Sequence, residues 1–549
     1  MRNIFLTLSI LTIFLFAFSF NPIQNMEINS LPANYSWSND CDIAYGVYGS
    51  SVASAGDVNN DGYDDVIIGA YLAESGYNDE GLAFVYLGSD TGISPYPCWT
   101  NGPNQATAHY GISVASAGDV NGDGYGDIIV GAEYYDRDNS NEGQAFVYLG
   151  NGTSPEVFPY WTGESNQANS QYGFSVASAG DVNGDTLDDI IVGAFMFDNG
   201  QTDEGKAYLY FGSDSAISSF PDWEEESDIS YANFGCSVAS AGDVNGDGYD
   251  DVIIGAYSYS STKANEGAVF VYYGSSSGLP SDYSWQAISN QANSHFGYSV
   301  ATAGDVNGDG YDDVVIGAYT HDNGQTDEGV IFVYLGDSLG LSATPQMIEI
   351  NSANSQFGYS VASAGDVNND GYDDIIVGAN QYSNSLSYEG GAFLFCGSAG
   401  GMQATPSWTY ESNQFQALLG YSVASAGDVN NDGYDDVLAG SIYFDNGETD
   451  EGCAFGFYGE ADPAGLNKRI SKEIHESSIS LILNKIILTC SEAGAEVNVF
   501  DSAGRCVFRQ SNLNSGINEI KTDMMNRGIF FIKLTDSKSI LIKKAVLIK

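Results

Sequence analysis

Along most of the chain, apolar residues come in short runs of about five or six, without long amphipathic stretches. One cycle begins at the aromatic-Gly pair Phe234-Gly235 and continues through Cys236-Ser237-Val238-Ala239. An Asp-rich stretch separates this from the run Asp251 to Ala256. A further polar stretch ends in Glu266-Gly267 and gives way to the alternating run Ala268-Val269-Phe270-Val271-Tyr272-Tyr273. A Gly/Ser turn then leads to a segment carrying Trp285. Runs this short, rich in β-branched and aromatic residues and bounded by turn formers, predict four strands per cycle. The cycle recurs along the chain. Its Asp-rich phrase, Asp-Val-Asn-x-Asp-Gly-Tyr-x-Asp, starts at Asp57, Asp119, Asp181, Asp243, Asp305, Asp366 and Asp428, at intervals of 62 residues and once 61. A fixed period of this length marks supersecondary units too small to bury a core alone. Four-stranded units repeated radially are propeller blades, so the pattern predicts an all-β fold.

The repeated phrase has the chemistry of a hard-cation loop. Oxygen donors at positions 1, 3, 5 and 9, with a backbone carbonyl at 7, suit Ca²⁺. In the first copy these are Asp57, Asn59, Asp61 and Asp65, with the carbonyl of Tyr63. The second has Asp119, Asn121, Asp123, Tyr125 and Asp127; the third Asp181, Asn183, Asp185, Leu187 and Asp189. The fourth has Asp243, Asn245, Asp247, Tyr249 and Asp251; the fifth Asp305, Asn307, Asp309, Tyr311 and Asp313. The last two are Asp366, Asn368, Asp370, Tyr372, Asp374 and Asp428, Asn430, Asp432, Tyr434, Asp436. Gly62 at position 6 permits the sharp turn, and only the third copy departs, with Thr186. Soft ligands are absent from the phrase, which argues against zinc or copper. The plain alternative is an Asp/Asn/Gly turn without metal. Seven copies in phase favour calcium, up to seven ions per chain.

These units resemble the FG-GAP repeat of integrin α-subunits and of many bacterial surface proteins. The matching residues are the aromatic-Gly pair, the Asp-rich loop and the Gly-Ala after the second strand, as at Tyr48-Gly49 and Gly69-Ala70. The pair is degenerate in the last copy, Leu419-Gly420. The resemblance covers about residues 30–466 and implies a seven-bladed β-propeller with the metal loop between strands 1 and 2. It also implies a ligand face opposite the metal loops, where Tyr71, Tyr135, Phe197, Tyr257, Tyr319 and Tyr443 are candidate contacts. Packing over the blade is the equally simple role for these rings.

All six tryptophans share one phase: Trp37, Trp99, Trp161, Trp223, Trp285 and Trp408, with Met347 in the remaining place. Each precedes its Asp loop, and no such segment follows the last alternating run, Cys453 to Tyr458. The expected solution has the N-terminal strand complete the last blade, leaving no open edge. The Trp set is expected to anchor the outer strands by packing.

Composition separates the ends from the repeats. Residues 1–19, with one Arg and an apolar run through Phe18, read as a secretory signal peptide. Net charge is −55, yet from Asn467 onward Lys+Arg number 13 against 8 Asp+Glu. The repeats thus carry nearly all the acid, which disfavours nucleic acid and anionic membranes as partners. After a linker at 467–477, residues 478–549 hold alternating runs such as Ile479 to Leu483 and Ile529 to Leu534, which read as a small C-terminal β-sandwich. Its phrases Val499-Phe500-Asp501-Ser502-Ala503-Gly504-Arg505 and Arg527-Gly528-Ile529-Phe530 resemble the sorting domain of the type IX secretion system. That resemblance implies a bacterial protein, secreted or held at the outer cell surface, with the type IX machinery as a partner.

Seven cysteines, an odd number, cannot all pair internally; Cys98, Cys236, Cys396 and Cys453 read as small apolar residues, while Cys490 and Cys506 share the tail. Four histidines, His109, His295, His321 and His475, show no catalytic partner in the sequence. The Glu-Gly pairs recur in every blade, which favours a turn role over a single acid/base site. The expectation is therefore no enzyme: a calcium-binding adhesion or ligand-binding module whose partner is an extracellular protein or glycan. A lectin, or a polysaccharide-degrading enzyme on the same propeller, are the alternatives.

Overall fold

The computed structural model describes residues 35–460 and, beyond them, strands between 478 and 547. The segment 1–19, expected to be a signal peptide, and the expected linker 467–477 lie outside the described residues. The chain divides into two compact units, Met1–Pro463 and Ala464–Lys549.

The first unit is a seven-bladed propeller of four-stranded antiparallel sheets. Blade one runs from an inner strand Ser51–Gly56 through Asp65–Ala70 and Leu82–Tyr86 to an outer strand Trp99–Asn101. Blades two to six follow the same order, with inner strands starting at Tyr110, Tyr172, Phe234, Ser299 and Phe357. Blade seven has Leu419–Gly427, Asp436–Ser441 and Cys453–Phe457, and its outer strand is the N-terminal Trp37–Asn39. The closing register pairs Trp37 with Gly456 and Asn39 with Ala454.

Each core lies between two blades. The third and outer strands of blade one, with Val85 and Trp99, pack with Tyr110, Ile128 and Tyr148 of blade two. Leu438, Ala454 and Trp37 of blade seven pack with Tyr48, Ile68 and Phe84 of blade one. A repeat therefore gains a core only through its neighbours. Two motif glycines explain how closely the sheets approach. A Cβ on Gly69 would stand 2.0 Å from the carbonyl oxygen of Gly111 in the next blade, and the same contact recurs from Gly131 to Gly173 at 1.9 Å. Only glycine in the Gly-Ala element leaves room for the following aromatic-Gly backbone.

The inner edges carry a further inter-blade link. The N–H of Val114 donates to Ser51 Oγ at 3.0 Å, that of Val176 to Ser113 Oγ at 3.1 Å, and so on to Val423 and Ser360 at 3.0 Å. The N–H of Val52 donates to Ser422 Oγ at 3.0 Å, closing the circle. Exposed strand edges are thereby paired through side chains.

The tryptophans act as packing anchors. Trp99 lies 5.0 Å from Tyr148 ring to ring, and its Nε1 donates to the carbonyl of Glu156 in the next blade at 3.0 Å. Trp37, Trp161 and Trp223 repeat the bond, to Ser94, Ser218 and Pro280. Gln346, not Met347, holds the Trp position in blade five: it pairs with Val333 as Trp285 pairs with Val271. Gln346 Nε2 donates to the Met402 carbonyl in the next blade, replacing the indole bond, while Met347 is exposed. The single missing residue in that period shifts the phase by one.

The second unit contains a three-stranded antiparallel sheet, with Ser478–Ile482, Lys485–Cys490 and Gly516–Lys521. A four-stranded one holds Ala495–Asp501, Cys506–Leu513, Gly528–Thr535 and Ile540–Leu547. Among the described residues no helix is long and apolar enough to cross a membrane.

Candidate functional site

Each Asp-rich phrase forms the hairpin between the inner and second strands, as between Gly56 and Asp65. The loop is curled by its own backbone. Asp57 Oδ1 accepts the N–H of Asp61 at 3.0 Å, and Oδ2 accepts that of Gly62 at 2.8 Å. Asp61 Oδ1 accepts the N–H of Tyr63 at 3.2 Å. Blades four and five repeat these contacts through Asp243 and Asp305. Position 6 takes a positive φ throughout, as at Gly62 (91°) and Gly248 (89°), and Thr186 must adopt 75°. A β-branched residue there is strained.

The position-9 carboxylates, Asp65, Asp127, Asp189, Asp251, Asp313, Asp374 and Asp436, are buried. Asp65 Oδ2 accepts the N–H of Val58 at 3.0 Å and Oδ1 that of Gly88 at 2.8 Å. This residue therefore clamps the loop to the segment that follows the third strand. Burial pushes its carboxyl up to about 7, and that of Asp251 up to about 8. A bound cation acts in the opposite sense, favouring the ionised form. The position-3 oxygens supply the clearest fit to a metal. Oδ1 of Asn59, Asn368 and Asn430 is buried and has no hydrogen-bond partner. A buried acceptor oxygen without a donor, found at this position in three of the seven loops, suits a hard cation. In no hairpin loop, among the described residues, do three carboxylate oxygens lie within 4.8 Å of one another. Part of the donor capacity is spent on the loop's own N–H groups.

The eighth residue of the phrase has a role that sequence reasoning missed. Asp188 Oδ2 accepts the N–H of Asp119 from the preceding blade at 2.7 Å, and Asp64 Oδ2 that of Asp428 at 2.9 Å. The equivalents Asp250, Asp312, Asp373 and Asp435 do likewise. The repeated Tyr-Asp-Asp was visible in the sequence, but not which neighbour the middle Asp would reach. Blade two has Gly126 instead.

The Glu-Gly glutamates hold the loops between second and third strands. Glu142 Oε1 accepts the N–H groups of Arg137, Asp138 and Asn139. Burial opposes ionisation of Glu266, but hydrogen bonds from Ser261, Thr262 and Lys263 outweigh it and bring the carboxyl down to about 2. The turn role expected for these residues is the geometry observed. Of the histidines, His109 does have a carboxylate partner, Glu133 Oε1 at 3.1 Å from Nδ1, between the rings of Tyr71 and Tyr134.

The six aromatics expected on the opposite face divide among three settings. Tyr257 and Tyr319 join Tyr298 and Tyr359 at the inner strands, with Tyr319 4.7 Å from Tyr298, while Tyr71 flanks His109. Tyr135 and Phe197 pack on Phe146 and Tyr208 in their blades. Tyr443 alone is exposed, and it lines a cleft of about 660 Å³ with Gln381, Tyr388, Phe415, Gln416, Leu418, Asp445 and Asp450. They occupy different offsets after the second strand, and that offset decides their setting.

The cleft breaks the repeat. Phe415 stands where the other blades have Ala44, Ala106, Ala168, Ser230, Ala292 and Ala353. Tyr388 stands where they have Asp79, Asn141, Asp203, Asn265, Asp327 and Asp450. That position takes a positive φ in every blade, 54° at Tyr388, which suits Asn or Asp and strains Tyr. Both rings are nonetheless solvent-exposed, 58% and 43%.

These features define a cyclic array of β-blades with an oxygen-rich hairpin loop on each. Comparison with known proteins gives the family. The FG-GAP repeat matches residues 48–86, 110–148, 172–210, 234–272, 296–334 and 357–395. The secretion system C-terminal sorting domain matches residues 480–549. The chain is an FG-GAP-repeat β-propeller protein with a C-terminal sorting domain. Integrin alpha-5 of Xenopus laevis is 34% identical over 244 residues, covering 43% of this chain and 22% of the integrin. Integrin alpha-8 of Gallus gallus is 32% identical over 240 residues, 42% of this chain and 21% of its own length. Integrin alpha pat-2 of Caenorhabditis elegans is 35% identical over 238 residues, 39% and 18% respectively. The match thus spans about a fifth of these relatives' length. The sorting domain marks the protein as secreted or carried to the outer cell surface, and implies contact with the type IX secretion system.

Proposed function

We propose that the protein is a calcium-stabilised binding module that engages an extracellular ligand on the face opposite its seven metal loops. The observation that carries this reading is the asymmetry of the cleft between blades six and seven. A repeat that otherwise keeps Ala or Ser and Asp or Asn at two positions has there two exposed rings, one of them on a strained backbone. Strain and exposed aromatic area at one site of a periodic fold point to recognition. Rings beside the amides of Gln381 and Gln416 and the carboxylates of Asp445 and Asp450 suit a saccharide, whose C–H faces stack on aromatics and whose hydroxyls hydrogen-bond the polar rim.

Binding without turnover is the reading we favour. Asp445 Oδ1 accepts the N–H of Asp450 at 2.8 Å, a turn contact that Asp198–Asp203 and Asp322–Asp327 repeat in other blades. The two acids share this turn contact with other blades, which supports a scaffold role for them.

The test uses a glycan array and extracellular polysaccharides, with hydrolysis and lyase assays on the same polymers. Phe415→Ala and Tyr388→Asp restore residues that other blades carry, so folding is preserved. Saturable binding without turnover, lost in both variants, is the expected result. Turnover overturns the non-enzymatic reading, and unchanged binding in the variants overturns the cleft. Silence on every glycan, with capture of a protein ligand abolished by the same variants, replaces the saccharide with a protein partner.

A further inference from the structure

The seam where the ring closes carries a second kind of acidic cluster. Asp40 and Asp42 follow the N-terminal strand, and Glu451 precedes the third strand of blade seven. One carboxylate oxygen from each lies within 4.8 Å of the other two. Glu451 is 0% exposed. Its Oε1 accepts the N–H groups of Asn446 and Glu448, while its Oε2 is buried with no hydrogen-bond partner. Asp40 Oδ2 accepts from Asn446 Nδ2 at 2.7 Å and Oδ1 from the N–H of Asp42 at 3.1 Å. A buried carboxylate oxygen without a donor, beside two further carboxylates, is destabilising unless positive charge is supplied.

Two other blades supply positive charge beside the equivalent acids, whereas blade five leaves Glu328 and Glu349 each with a buried, unpartnered Oε2. In blade three the equivalent residues Glu204, Glu226 and Asp228 form the same triad, and Glu204 Oε2 is likewise buried and unpartnered. There Lys206 places its Nζ 2.9 Å from Glu224 and 4.0 Å from Glu226. In blade two Arg137 meets Glu164 at 2.9 Å. Blade seven has Cys453 at the position of Lys206. Among the described residues no basic side chain pairs with Asp40, Asp42 or Glu451.

We propose that Asp40, Asp42 and Glu451 bind a divalent hard cation that clasps the N-terminal strand to the last blade. Three carboxylates with no soft ligand in the set favour Ca²⁺. The site is separate from the seven hairpin loops, because the loops joining second to third and outer to inner strands lie at the opposite ends of the strands. Two of its ligands arrive from the N-terminal segment and one from blade seven. Occupancy therefore couples the cation to ring closure, as any ligand of the closed state alone must.

The experiment compares the full chain with an Asp40→Asn/Asp42→Asn variant and with a hairpin-loop control, Asp181→Ala. Hydrogen exchange is followed at the amides of residues 36–39, in calcium and in chelator. At ~10 Kd of free calcium the ion should slow exchange of these amides about tenfold in the unaltered chain. The double variant should lose that increment and Asp181→Ala should keep it. Calcium bound per chain at equilibrium dialysis should fall by one in the double variant. A seam that responds to calcium equally with and without the two carboxylates overturns the proposal. In chelator, the variant should melt at or above the temperature of the unaltered chain, because repulsion is relieved. A lower melt there assigns the carboxylates a structural role and also overturns the proposal. Loss of calcium binding in Asp181→Ala alone bears on the hairpin loops and leaves the seam reading intact.

Discussion

Gly440 of the last blade lies against Gly49 of the first: a Cβ on Gly440 would stand 1.9 Å from the Gly49 carbonyl oxygen. This is the same contact that joins every other neighbouring pair, so the closing interface is a full member of the ring. The obstructing atom is backbone, which no side-chain rotation can move. Gly440→Ala should therefore destabilise the propeller by at least ~3 kcal/mol, at the upper end of overpacking costs. Chemical denaturation checks it. A loss below ~1 kcal/mol would show that the two sheets can part without penalty.

Trp37 is an apolar anchor of the seam. It packs on Tyr86 at 5.3 Å and donates to the carbonyl of Ser94 at 3.1 Å. Trp37→Ala should cost about 3–5 kcal/mol through lost burial and a cavity. Deleting residues 30–40 should go further and expose the edge of Cys453–Phe457, which recruits other chains. Light scattering and thermal melts read both effects. A truncated protein that stays monomeric with an unchanged melt would show that the outer strand is dispensable.

Calcium removal should lower the melting temperature and raise hydrogen exchange in the hairpin loops, since metal binding couples to folding. Affinities should fall near 10⁻⁴ to 10⁻³ M, roughly the extracellular range, because no bidentate Glu follows the loop. The third loop should be weakest. Thr186→Gly should relieve its positive φ of 75° and stabilise the protein by about 1 kcal/mol, with tighter binding at that loop. Equal melts in excess calcium and in chelator would remove the metal from the account.

Export should depend on the second unit. Removing residues 478–549 should leave the propeller folded, because its seven sheets are complete within residues 37–457. In a bacterium with type IX secretion, the truncated protein should stay in the periplasm while the full chain reaches the surface or medium. Fractionation of both forms decides it. Normal surface delivery of the truncated form would remove the export role from the tail.

Much of the molecule was legible in the sequence because the repeat states the same local rule seven times. Strand runs, hairpin loops, the blade count and the borrowed outer strand all follow from the phase of Asp57, Trp37 and their successors. Phase counting fails where one residue is missing, placing Met347 where Gln346 stands. In the second unit, Lys485–Cys490, Cys506–Leu513 and Gly516–Lys521 were not anticipated, because no repeat reinforces their pattern.

The sequence by itself thus determined the periodic parts: strands, turns and the Asp-rich hairpin phrase, all encoded within a few residues of one another. Tertiary structure alone decided what crosses between blades. Ser422 reaching Val52, Asp64 reaching the backbone of Asp428, and Glu451 meeting Asp40 and Asp42 join residues hundreds of positions apart. The same is true of the cleft, where Tyr388, Phe415 and Tyr443 come from three different loops. Local patterning reports which face of a strand is apolar, but contact between blades depends on the closed ring bringing their edges to a fixed spacing.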